Sequence, residues 1–165
     1  MSIRKLLATI VVTGAAAGPA VAGDTEHGRY LVTIMDCQGC HSGRLADGTL
    51  DPDAHLTGGV VGFELPGLGV FYPPNLTPDR ETGLGAWSDA EIGTAIRTGE
   101  RPDGRILAPI MPWMSYAVLN DADLADVIAY LRTLPPAANR VPGPYGPGES
   151  IPAPYLAMLM PERLN

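Results

Sequence analysis

Cysteine, lysine and long apolar runs are what this 165-residue chain has least of. Its two cysteines, Cys37 and Cys40, stand close together, so no second pair competes for whatever chemistry they carry. Its one apolar run of note, Leu6–Val12, is too short, and too interrupted by Gly14, Gly18 and Pro19, for a comfortable membrane span. Nothing else approaches transmembrane length. With Arg4 and Lys5 before it and Ala20-Val21-Ala22 after it, the run reads as part of a secretory signal peptide over residues 1–22, cut between Ala22 and Gly23. A retained N-terminal anchor is the alternative. Cleavage takes Lys+Arg from 11 to 9 against 18 Asp+Glu, leaving a net charge of −9 and no lysine at all. That surface disfavours nucleic acid and anionic membrane. It favours a partner with a basic docking face and an association rate that falls with salt, and acidity that serves solubility alone fits equally well. Also absent are a nucleophile paired with a base and a glycine-rich phosphate loop between a strand and a helix, so nothing points to catalysis on a substrate.

What is present is organised around Cys37-Gln38-Gly39-Cys40-His41. Two thiols separated by two residues can add as thioethers across the vinyl groups of one haem, and a histidine directly after them can reach the iron from the proximal side. The pentapeptide therefore reads as a c-type haem attachment site. A thioredoxin-like redox pair would sit in a βαβ setting, which does not flank this motif. A zinc site needs two more ligands, and only His27 and His55 are on offer. A structural disulfide leaves His41 unexplained. Attachment of haem c outside the cytoplasm requires export, so the signal peptide and the pentapeptide support each other and place the protein in the bacterial periplasm.

In chain order, Asp24 is placed to cap a helix over Thr25–Met35, with Tyr30, Leu31, Ile34 and Met35 at helical spacing. Gly28 inside it costs stability unless another helix must come close. His27, in the first turn, reads as surface or packing. Residues 42–74 read as a glycine-rich loop over one haem edge, since the alternation of Val60, Val61, Phe63 and Leu65 is too short to argue a strand. His55 in this loop reads as a solvated or hydrogen-bonded side chain. A proline-stiffened turn, Tyr72–Asp79, follows. Ser88 and Glu91 then form a capping box for a helix that stops at Gly99. Asn120 caps an amphipathic helix over Asp121–Thr133, with Leu124, Val127, Ile128 and Leu131 on one face, ended by Pro135-Pro136. The organisation expected is a signal peptide over 1–22, a domain over 23–136 and a proline-rich tail over 137–165. Such a tail is strapped to its own domain or left loose, with a short apolar turn over Pro154–Met160; holding a partner subunit is the sharper alternative.

A haem iron closed by a methionine thioether is an electron carrier of raised potential, whereas one left open binds ligands. Met111, bracketed by Pro109 and Pro112, and Met114 both stand on a stiff apolar loop, and chemistry alone leaves both open. Met35, Met158 and Met160 read as core or tail. The chain from His27 to Pro136 resembles a class I monohaem cytochrome c of the kind found as subunits or domains of periplasmic dehydrogenases. The resemblance rests on Gly28-Arg29-Tyr30-Leu31, the pentapeptide, Pro74–Asp79, Thr82–Ser88, Ala108–Trp113 and Ala129–Pro135. It implies an all-α fold of three to four helices and long loops around one covalently bound haem. It further implies Met111 as the axial partner of His41, a crossing of the first and last helices at Gly28 near Tyr130, and Trp87, Asn75 and Arg105 near the haem rim or propionates.

The function expected is periplasmic electron transfer between a dehydrogenase donor and a cytochrome or oxidase acceptor, with no substrate chemistry of its own. One rival is a tightly held electron-accepting subunit of such a dehydrogenase. The other is a ligand-binding or sensor haem protein with an open sixth position.

Overall fold

The computed structural model describes residues 23–157. The expected signal peptide, Met158 and Met160 lie outside the described residues. Helix α1 (Thr25–Ile34) begins where Asp24 turns extended and its carboxylate accepts the N–H groups of Glu26 and His27 at 2.9 and 3.2 Å. Met35 closes the helix rather than extending it. Its buried face is Gly28, Leu31 and Val32, while Tyr30 and Ile34 are exposed, contrary to the apolar face expected of them. The reason is the neighbour. Helix α5 (Asp121–Thr133), capped by Asn120 onto Asp123, crosses α1 so tightly that a Cβ on Gly28 would run into the Asp126 carbonyl oxygen and lie 2.9 Å from Tyr130 Cβ. The contact face therefore centres on the glycine. Leu124, Val127, Ile128 and Leu131 of α5 are all buried, as their spacing predicts.

Between these helices the chain forms α2 (Cys37–His41), α3 (Asp89–Thr98) and α4 (Trp113–Tyr116). The expected capping box is present on α3, with the Ser88 N–H donating to Glu91 Oε2 at 2.7 Å and the Glu91 N–H to Ser88 Oγ at 3.3 Å. Gly99 ends the helix in the left-handed region at φ 76°, where the Trp113 indole lies on it. Leu56, Val32, Ile92 and Val127 are the deepest members of the core these helices share.

The stretch expected to be loop contains a hairpin. Strand β1 (Gly62–Leu65) pairs antiparallel with β2 (Gly69–Phe71), Phe63 opposite Phe71. The tail then adds β3 (Tyr155–Leu156) parallel to β1, giving the order β2-β1-β3. Tyr155–Leu156 is thus strand, where an apolar turn was expected. The fold remains mostly helical. No helix among the described residues is long and apolar enough to cross a membrane.

Candidate haem site

Helix α1 hands the chain to the pentapeptide through Asp36, a non-glycine residue at φ 54°. That left-handed step turns the backbone sharply and starts α2, which brings Cys37, Cys40 and His41 into the lining of a cavity of about 490 Å³. His41 is buried at 8% exposure, and its Nδ1 lies 2.8 Å from the Pro74 carbonyl oxygen. A carbonyl can only accept, so Nδ1 carries the proton and Nε2 is left as the unprotonated, metal-binding nitrogen. Burial pushes the imidazole pKa down, which keeps the ring neutral as a ligand must be.

Burial also pushes the Cys37 thiol up to about 11 and raises Cys40. A redox CxxC pair instead depends on a lowered pKa, so this environment argues against that alternative. The Tyr116 hydroxyl donates to the Met35 carbonyl at 2.8 Å, and burial raises its pKa to about 12.

Met111 lines the same cavity, whereas Met114 is 53% exposed and does not. Trp87 lines it with the Arg101 guanidinium 5.0 Å from its ring centroid, and the Trp87 carbonyl is pinned by Arg132 Nη2 at 2.5 Å. Arg105 lines it from an exposed position. Asn75 lines it too, at 1% exposure, but both of its amide N–H groups are spent, on Thr82 Oγ1 at 3.1 Å and the Ala137 carbonyl at 2.7 Å. It holds backbone and has no donor to spare for a propionate.

Sequence reasoning passed over Arg80, Arg101 and Arg140, and the whole segment Arg140–Pro144, all of which line the cavity. Arg101 had a signal, since it flanks the Asp103-Gly104 turn together with Arg105. A lone arginine in a proline-rich tail had none. The other two histidines stand apart from this lining. His55 Nε2 is 3.1 Å from Tyr130 Oη, and His27 Nδ1 is 2.8 Å from Asp126 Oδ2.

Residues 25–135 match the cytochrome c family. The chain belongs to the cytochrome c family. It is 36% identical over 131 residues to a nicotinate dehydrogenase subunit of Pseudomonas putida, a match spanning 79% of this chain and 10% of that protein. Against the gluconate 2-dehydrogenase cytochrome c subunit of Pantoea cypripedii it is 33% identical over 134 residues, spanning 78% of this chain and 28% of the relative. Against a diheme cytochrome c-type protein of Cereibacter sphaeroides it is 32% identical over 120 residues, 71% of this chain and 38% of the relative. This cytochrome therefore spans well under half the length of the curated relatives it matches. The family implies covalent haem c, and the cavity fits it. The lining is mainly apolar, both thiols and a buried histidine with its Nδ1 engaged share it, and four arginines stand along it against Asp36 and Glu81.

Proposed function

We propose that this cytochrome is a periplasmic electron carrier holding a single haem through Cys37 and Cys40, with His41 and Met111 as axial ligands. The observation that carries the reading is the His41 ring, buried and tied through Nδ1 to the Pro74 carbonyl, on one cavity with both cysteines and Met111. When bound, haem supplies the one-electron Fe(III)/Fe(II) couple. The chain contributes the rest. The Pro74 carbonyl fixes the tautomer and plane of His41. Prolines 109 and 112 limit the freedom of Met111, so little ordering is needed to hold its sulfur in place. Apolar walls formed by Phe63, Leu84, Ile92, Val127 and Leu131 keep water from the cofactor and lower the local dielectric.

The test is a visible spectrum of the precursor produced with haem-maturation machinery. A weak far-red sulfur-to-iron band is expected in the wild type and in Met114→Ala, and it is expected to vanish in Met111→Ala. A c-type spectrum without the band in the wild type would put the ligand-binding reading ahead. A colourless protein would refute haem attachment.

A second reading is favoured by the relatives' names, several of which are cytochrome subunits of dehydrogenases. In that reading the partner is a dehydrogenase that retains this cytochrome as its electron acceptor. Co-migration with a larger protein on native gel filtration supports it. Migration alone at monomer size supports the free carrier.

A further inference from the structure

The most buried polar side chains include Asn75 and Thr77, each at 1% exposure, and both are turned toward the tail. Asn75 donates to the Ala137 carbonyl at 2.7 Å, and Thr77 Oγ1 accepts the Ala137 N–H at 3.1 Å. Asn75 Oδ1 in turn holds the Thr77 N–H and hydroxyl at 2.9 and 2.8 Å. Thr82 Oγ1 accepts the Asn139 N–H at 3.0 Å, and Asn139 Nδ2 donates to the Thr57 carbonyl at 2.8 Å. Directly after this, Arg140–Pro144 enter the cavity lining. The chain is then pinned again, where Tyr145 and Val70 exchange backbone hydrogen bonds of 2.9 and 3.0 Å. Beyond that, Tyr72 Oη donates to the Ala153 carbonyl at 2.8 Å and β3 joins β1. A short segment held at both ends by buried partners is placed, not draped.

We propose, resting on the haem reading above, that residues 137–145 are a built-in wall of the haem cavity and that the charge of Arg140 raises the reduction potential. The physical argument is Coulombic. Reduction adds one negative charge to the cofactor, so a guanidinium along its cavity favours the reduced state; Arg140 is itself exposed, so solvent screens part of that effect. Asp79, close enough to feel the Arg140 charge, has its carboxylate engaged with the Thr82 N–H and hydroxyl at 2.7 Å each and makes no ion pair with Arg140 among the described residues.

The experiment compares midpoint potentials of haem-loaded wild type, Arg140→Gln and Arg29→Gln by spectroelectrochemistry. Arg29 is exposed, pairs with Glu26 at 3.0 Å and does not line the cavity, so its loss makes the same change in net charge and removes one exposed ion pair away from the cavity. At a fixed applied potential Arg140→Gln is expected to shift the reduced-to-oxidised ratio about threefold toward oxidised, with Arg29→Gln indistinguishable from wild type. Asn139→Ala, which cuts a pin without altering charge, is expected to speed tryptic cleavage after Arg140 several-fold. Equal potentials for the two arginine variants, or unchanged cleavage in Asn139→Ala, would overturn the proposal while the haem reading stands. Wild type without haem would overturn the reading beneath it.

Discussion

His27 sits in the first turn of α1, on the exposed side of the α1–α5 crossing, with Nδ1 2.8 Å from Asp126 Oδ2. The Asp126 hydrogen bond raises its pKa above the usual imidazole value of about 6.5, and the same bond holds the Asp126 carboxyl below its usual range. A raised folded-state pKa means that the bond's contribution is fully present below about pH 6.5 and is lost as pH rises through the folded value. The depressed Asp126 value sets the other limit, so the pair is strongest from roughly pH 4 to 6.5. Stability of wild type is therefore expected to decline modestly from pH 6 to 9, and His27→Gln is expected to flatten that decline in urea melts. An unchanged slope would assign the pH dependence elsewhere. At this scale the Cys37–His41 motif was the most legible feature, because thioether chemistry would tolerate little variation in its spacing, and both thiols and His41 do line one cavity. Asn75 was not legible as a clasp. Its partner Ala137 lies 62 residues away, and no local pattern records a hydrogen bond that long in sequence.

Helices α3 and α5 follow their capping residues and apolar spacing closely, since both signals are local and agree. Helix α1 shows where local spacing fails. Tyr30 and Ile34 fit an apolar stripe, but the face actually buried is chosen by Gly28, which lets α5 approach. Gly28→Ala is expected to destabilise by about 1–3 kcal/mol despite alanine's better helix propensity, because the added Cβ meets the Asp126 backbone. Gly93 in α3 is the control. A Cβ there would lie 3.1 Å from the flexible tip of Leu124, so Gly93→Ala is expected to be near neutral or slightly stabilising. Denaturant midpoints of both haem-loaded variants decide this, and comparable losses at the two glycines would contradict the crossing geometry. The hairpin escaped sequence reading for a different reason. Strands of four and three residues carry almost no period-2 signal, and the third strand comes from the tail some 90 residues later.

Across the whole molecule the net charge is −7 for the chain as it stands, yet the cavity lining holds Arg80, Arg101, Arg105 and Arg140 against Asp36 and Glu81, a local excess of positive charge. Two fields therefore compete for an approaching redox partner. The overall acidic surface attracts a cation from a distance, and the arginine-lined cavity repels it at short range unless anionic cofactor edges neutralise those guanidinium groups. Long-range steering dominates encounter at low salt, where screening extends over about 30 Å at 0.01 M against about 8 Å at 0.15 M. Reduction of the ferric protein by hexaammineruthenium(II), followed by stopped flow, is thus expected to slow as salt is raised from roughly 0.01 to 0.15 M, while reduction by an anionic complex speeds up. The reverse pair of slopes would mean that uncompensated arginines at the cavity, and not the acidic surface, face the donor. A partner with an acidic docking face would then replace the basic one expected from composition.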